Sequence, residues 1–332
     1  MTTRHLVDPE LVAILDQFPA PVYTPETLPL MRARSKEMLT RMAEHLPTFP
    51  NISVGERLVP SPEGSPEVRV LAYVPTDRSI LRPALLWMHG GGYIMGSPEQ
   101  EDLTVKNIVS AIGCVAVSVD YRLAPETRHP GPVEDCYAAL HWLYTHSGEL
   151  GVDTSRIAIG GGSAGGGLAA ALGLLTRDRG EVPLAFQLMI QPMLDDRTCT
   201  LTETHPYTGE FIWTREANRW GWTSLLGQEP GLPDVSPYAA AARAEHLEGL
   251  PPTFISAGAL DLFLEEDMEF ARRLTRAGVP TEFHVYPGTY HGFRMVADAQ
   301  VTQAAGRDQL AALKRAFDPS CRSNEYLQTS HS

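Results

Sequence analysis

Cysteine is scarce in this chain: Cys114, Cys136, Cys199 and Cys321 are the only four in 332 residues, and they have no paired metal-ligand spacing. That excludes a disulfide-built scaffold and a thiolate metal site, and leaves four reduced thiols, with Cys114 inside a strand-like core run. Positive charge is also in deficit, with 27 Lys and Arg against 40 Asp and Glu, a formal net charge of −13 and no basic cluster. Nucleic acid, anionic membrane surfaces and polyanionic substrates are therefore poor partners. No apolar run approaches the ~18 residues of a membrane span, and no leading segment has the charged, apolar and small-residue regions of a signal peptide, so a soluble cytoplasmic protein is expected. No Gly-x-Gly-x-x-Gly opens an N-terminal βαβ unit and no Lys-Ser or Lys-Thr follows a glycine-rich turn, which removes the dinucleotide and P-loop readings. Internal repeats and low-complexity blocks are missing too, and the lack of a repeat array of blades disfavours a propeller-gated peptidase.

What is present is a 43% hydrophobic chain long enough to bury one large core. Strand-like runs fall at Ile52–Val59, Glu67–Val74, Leu85–His89, Cys114–Asp120, Ile157–Gly161, Leu184–Gln191, Pro252–Ala257 and Glu282–Tyr286. Amphipathic runs at Pro132–His146, Gly166–Thr176, Glu265–Ala277 and Gln300–Ala316 alternate with the later strands. This alternation predicts an α/β fold, a mainly parallel eight-stranded sheet with helices on both faces. Two segments break the rhythm. Residues 1–48 read as helical pieces (Asp8–Gln17 and Thr27–His45) interrupted by prolines, and residues 196–230 are rich in aromatics, with Tyr207, Phe211, Trp213, Trp220 and Trp222. Together they are expected to form a helical cap on a catalytic domain of residues 49–195 and 231–318, with 319–332 a mobile tail. The cap aromatics can line a substrate pocket or simply hold the cap together as a small core.

Chemistry concentrates at Gly-Gly-Ser-Ala-Gly-Gly, residues 161–166, where Ser163 follows a strand-like run and precedes an Ala/Leu-rich helical one. A serine on such a turn projects its hydroxyl from a strained backbone, and Gly161 and Gly165 let strand and helix approach closely. Alone, this pattern is equally a tight βα connection. Upstream, His89-Gly90-Gly91-Gly92 follows the apolar run Ala84-Leu85-Leu86-Trp87-Met88, where consecutive glycines can turn N–H groups toward a developing oxyanion. Its bland alternative is a flexible surface loop.

Downstream, Asp261 closes one strand-like run and His291 follows another, giving the chain order Ser, Asp, His. A serine needs a base to accept its proton, and that base needs a carboxylate to fix its tautomer. Asp261 could instead cap the following helix, and Glu265 and Glu266 compete as the acid, although both read as first-turn helix residues that complement the dipole. His284 lies inside a strand and is the poorer base. The charged run Asp120-Tyr121-Arg122-Leu123-Ala124-Pro125-Glu126 follows a buried-looking strand and reads as a salt-bridged turn bracing the sheet, not as a site.

With these motifs in hand (His-Gly-Gly-Gly at 89–92, the 120–126 run, the serine elbow and the Asp261 to His291 separation) the chain resembles the hormone-sensitive-lipase-like carboxylesterases of the α/β-hydrolase superfamily over roughly residues 65–315. The resemblance implies an α/β-hydrolase fold. It assigns Ser163 as nucleophile, His291 as general base and acid, Asp261 as orienting carboxylate, and the N–H groups of Gly91, Gly92 and Ala164 as the oxyanion hole. No metal or organic cofactor is implied, since triad and backbone dipoles supply the chemistry. The implied partner is a small ester, and the implied assembly a homodimer through the strand edge at Glu282–Tyr286.

The sequence departs from the family in two places. Gly162 stands where an acidic residue usually precedes the nucleophile, and Leu262-Phe263 replaces the Pro-Leu that usually follows the triad acid, which is expected to loosen the turn presenting Asp261. An amidase, deacetylase or acyltransferase could use the same triad. A non-catalytic small-ligand receptor on this scaffold is disfavoured by retention of His291.

Overall fold

The central strands are buried almost without a break, and their side chains alternate between two cores with the period of two of a sheet packed on both faces. Ala84, Leu86 and Met88, with Val115, Val117 and Val119, enter one core, whereas Leu85, Trp87 and Ala116 enter the other. A computed structural model describes residues 2–18, 21–43, 46–61 and 64–318. The predicted tail and Cys321 lie outside the described residues. The elements run α1 (Thr27–Ala43), β1 (Ile52–Val59), β2 (Val68–Pro75), β3 (Arg82–Met88), α2 (Asp102–Ile112), β4 (Val115–Asp120), α3 (Gly131–Thr145), α4 (Ser147–Leu150), β5 (Val152–Gly162), α5 (Ala164–Arg179), β6 (Phe186–Ile190), α6 (Arg215–Leu226), β7 (Thr253–Gly258), α7 (Leu264–Arg276), β8 (Thr281–Tyr286) and α8 (Gln300–Phe317).

The eight strands form one sheet in the order β1-β2-β4-β3-β5-β6-β7-β8. Only β2 runs against its neighbours, pairing antiparallel with β1 and β4, while the contacts from β4 through β8 are parallel. α3, α5 and α7 bury Leu140, Leu172 and Leu274 on one face, and α2 and α8 bury Val109 and Leu313 on the other. The predicted mainly parallel sheet flanked by helices is what forms.

The structure refines two readings and adds a helix. Asp8–Gln17 is no α-helix but short 3₁₀ turns at Pro9–Leu11 and Ala13–Asp16, because Pro9 and the brevity of the segment favour tight i→i+3 pieces over a cooperative helix. α2 is absent from the predicted helices. Its apolar stripe, Val105, Ile108 and Val109, is helical in spacing but short, and it closes on Gly113 in the left-handed region at φ 72°. The final two residues of the predicted Thr27–His45 piece lie outside the described residues. The 120–126 run is salt-bridged as expected, but each charge pairs outward: Asp120 with Arg69 at 3.0 Å, Arg122 with the buried Asp135 at 2.6 Å, and Glu126 with Arg32 at 2.8 Å. Arg32 also donates to the carbonyls of Ile94 and Ala124, fastening α1 to the loop after β3.

The N-terminal turns pack at the carboxyl end of the sheet. Val7, Leu11 and Leu15 share a small core with Leu260, Tyr290 and Phe293, and the Tyr290 hydroxyl donates to the Leu11 carbonyl at 3.0 Å. Among the described residues no helix is long and apolar enough to cross a membrane.

Candidate active site

Ser163 joins β5 to α5 with φ 57° and ψ −122°, a conformation that L-residues rarely adopt. Its surroundings hold it there: the Ser163 N–H donates to Ile190 O at 2.8 Å, and its carbonyl accepts from Gly167 and Met193, both at 3.0 Å. Strain at Ser163 is thus supported by the adjacent strand and the first helical turn.

The loop after β3 lies against this elbow. A Cβ placed on Gly90 would sit 3.4 Å from the Ser163 Cβ. Gly91, Gly92 and Tyr93 follow with φ of 124°, 61° and 65°, a run of left-handed residues that two glycines make affordable. Among the described residues, the N–H groups of Gly91 and Gly92 have no backbone acceptor. Ala164 is the first residue of α5, so its N–H belongs to the unsatisfied donors of a helix N-terminus. His89 itself is structural. Burial lowers its ring pKa to about 4, its Nδ1 meets the Gly90 carbonyl at 2.8 Å, and it stacks on Tyr121 at 4.1 Å.

Asp261 and His291 reach the elbow from the ends of β7 and β8. His291 Nε2 lies 2.8 Å from Ser163 Oγ, and His291 Nδ1 lies 2.9 Å from Asp261 Oδ2. Asp261 is fully buried and His291 nearly so. The turn presenting the acid is not loosened by Leu262-Phe263: the Phe263 N–H donates to Asp261 Oδ1 at 3.1 Å and the Asp261 N–H to Gly258 O at 3.1 Å. Phe263 also sets its ring edge-on to His291 at 5.0 Å, so hydrogen bonding and ring packing replace the rigidity a proline would give.

The profile of the α/β-hydrolase-fold family matches residues 85–295, which span the loop after β3, the elbow, Asp261 and His291. The chain belongs to the α/β-hydrolase family. Its relatives include carboxylesterase NlhH of Mycobacterium tuberculosis, 35% identical over 95% of this chain and 97% of that protein, and esterase LipI of the same species, 31% identical over 91% and 92%. Among solved structures, a bacterial heroin esterase superposes with a TM-score of 0.89 at 42% identity, covering 96% of this chain and all of that one. This hydrolase is accordingly a carboxylic ester hydrolase of the hormone-sensitive-lipase-like branch.

The rival residues lie elsewhere in the hydrolase. Glu265 is exposed, and buried Glu266 accepts from the Leu194 and Asp195 N–H groups and from the Thr198 hydroxyl. Glu266, in the first turn of α7 as expected, also ties the loop after β6 to that helix. His284 sits between Glu282 at 2.8 Å and Asp308 at 3.6 Å on β8. Neighbouring Asp267 is fully buried with no partner for either carboxyl oxygen among the described residues. Burial above all, then Glu266 and Asp261, push its pKa well above the usual carboxylate range. A raised folded-state pKa means that stability is lost as pH rises from the unfolded value of about 4 through the folded one. Asp267→Asn removes that titration. Its melting temperature should match wild type near pH 4 and exceed it increasingly toward pH 8. A gap that stays constant across this range in thermal melts contradicts the assignment.

The aromatics of residues 196–230 differ in burial and packing. Trp213 stands over the site: its ring is 6.4 Å from His291, and a Cβ on Gly92 would fall 2.1 Å from its Cη2. Its Nε1–H is held by Asn218 Oδ1 at 3.1 Å, and Tyr23 from the N-terminal segment packs on it at 5.8 Å. Trp222 is core, fully buried against Tyr93, Phe211 packs on Tyr290, and Tyr207 is exposed. No motif in the sequence singles out Gln191, whose buried amide meets Asp261. Its one signal is position, at the carboxyl end of a strand between two others that deliver site residues.

Proposed function

We propose that this hydrolase cleaves short- to medium-chain carboxylic esters through an acyl-enzyme on Ser163, and the observation that carries the reading is the continuous hydrogen-bonded line from Asp261 through His291 to Ser163 on a strained elbow. Ser163 Oγ attacks the ester carbonyl while His291 Nε2 takes its proton, a general-base contribution of about 10²–10⁴. Asp261 on Nδ1 fixes the tautomer and stabilises the imidazolium. The N–H groups of Gly91, Gly92 and Ala164 receive the negative charge on the tetrahedral oxygen, where the helix N-terminus adds its positive end. His291 then returns the proton to the departing alcohol, and water repeats the sequence to free the acid.

Residues 1–48 and 196–230 act as the cap in this reading, with Trp213 limiting the space above the oxyanion loop. The three described cysteines are buried and free of disulfides, which supports a reducing, cytoplasmic setting. Assembly as a homodimer through the outer edge of β8 is part of the same proposal.

The test is a p-nitrophenyl ester series from acetyl to palmitoyl, together with a fluorophosphonate probe followed by peptide mass mapping. Activity is expected to peak at short to medium acyl chains, with the adduct on the Ser163 peptide. Inactivity on every ester, or labelling at another residue, contradicts the proposal.

A further inference from the structure

The geometry points to Gln191 as a positioning residue that locks the Asp261–His291 pair in its working arrangement, an inference that rests on the triad reading above. Gln191 follows β6 directly and is only 3% exposed. It holds φ 46°, uncommon for a residue with a Cβ, while its N–H donates to Ser256 O on β7 at 2.7 Å. The side chain then makes three bonds within the site. Nε2–H donates to Asp261 Oδ2 at 2.5 Å and to the Tyr290 carbonyl at 3.1 Å, and Oε1 accepts the Gly292 N–H at 3.0 Å.

Two features distinguish this from ordinary core satisfaction. Asp261 Oδ2 is the same oxygen that receives His291 Nδ1, so the amide and the imidazole share one acceptor. Tyr290 and Gly292 flank His291 on either side, so one amide clamps the backbone before and after the base. The amide orientation follows from its partners: a carboxylate and a carbonyl must accept, and a backbone N–H must donate, so a flipped amide would set its oxygen against two acceptors. A buried donor to a carboxylate is a charge-assisted bond, among the stronger kinds in a protein.

The bond also sets charge. By donating to Oδ2, Gln191 disperses part of the Asp261 charge that would otherwise act on the imidazolium. Losing the donor leaves Asp261 a stronger partner for protonated His291, so the acid limb of the kcat/KM profile should move to higher pH. Glutamate at this position, similar in size, shares a proton with Asp261 while it is protonated and, once that proton leaves, sets a second negative charge beside the imidazolium, which should move the limb further in the same direction.

Gln191→Met and Gln191→Glu, compared with wild type on p-nitrophenyl butyrate from pH 5 to 9, test the inference, with Ser163→Ala alongside. Expected are a kcat lowered by about 10- to 100-fold, the loss of one bond to a charged group, a KM changed by less than about twofold, and an acid limb displaced upward in the order wild type, Met, Glu. A purely structural Gln191 would lower thermal stability and leave the limb in place; that result overturns the inference, as does wild-type kcat in Gln191→Met. If Gln191→Met does not fold, Gln191→Glu carries the same readout, and failure of both to fold makes Gln191 a folding element and also overturns it. Activity persisting in Ser163→Ala refutes the triad reading itself. An inactive Ser163→Ala with unmoved Gln191 variants refutes only the clamp.

Discussion

Ser163→Ala should lower kcat on p-nitrophenyl butyrate by at least ~10³-fold while leaving KM within a few-fold of wild type. The substitution deletes one oxygen. The Cβ stays, so the φ 57° backbone, the Ile190 anchor of its N–H and the loop at Gly90 keep their geometry. What disappears is the acyl acceptor, and with it the only function of the His291 Nε2 contact at 2.8 Å. Residual turnover should come from water attacking an ester still polarised by the N–H groups near Gly91, Gly92 and Ala164. Nucleophile and base act as one unit, so His291→Ala should be about as damaging, and the double variant should be little worse than either single one. The measurement is steady-state kinetics of the three variants with thermal melts to establish folding. A folded Ser163→Ala with near wild-type kcat, or losses that multiply in the double variant, contradicts a Ser163–His291 unit.

Parts of this site are legible in the sequence because the backbone demands them locally. A serine held at positive φ between a buried strand and a helix needs small neighbours, and the 161–166 motif displays that need without reference to the rest of the chain. Asp261 and His291 are legible for a different reason: each follows a strand-like run in a parallel sheet, and the carboxyl ends of such strands lie side by side. Gln191 also follows a strand end, yet a single glutamine has no pattern of its own. Its role exists only in the relation of its amide to Asp261, Tyr290 and Gly292, three groups far away in sequence. The same holds for Trp213, chosen from five aromatics in the 196–230 segment by packing on Gly92, and for Asp267, whose carboxylate has no partner among the described residues, a fact no local pattern reveals. Gly162 is a departure that geometry renders harmless to the fold, since a Cβ there would meet only Ile190 O, at 3.8 Å.

The contrast between Gly162 and Gly165 leads to the second large effect: Gly165→Ala should destabilise the hydrolase by about 1–3 kcal/mol or more and lower activity in the fraction that still folds. A Cβ on Gly165 would fall 2.1 Å from Met88 O and 2.5 Å from His89 O. Both obstacles are backbone carbonyls, so no rotamer change relieves the clash. Met88 is fixed by its parallel pairing with Val119 and Gly161 in the middle of the sheet, and His89 O accepts the buried Tyr121 hydroxyl at 2.8 Å. The start of α5 must therefore move away from β3, since a close-packed interior has no spare volume to absorb the methyl group. That displacement carries Ala164 and Ser163 with it and separates the helix N-terminus from the loop at Gly91 and Gly92, which should lower kcat more than KM because it weakens transition-state stabilisation. Gly162→Ala is the matched control, one methyl added on the other side of Ser163 with only an ordinary 3.8 Å contact to Ile190 O, and should unfold within about 0.5 kcal/mol of wild type. Urea unfolding of the two variants, with kinetics on the folded fraction, decides the matter. Equal midpoints would mean that the elbow does not require the close approach of α5 to β3.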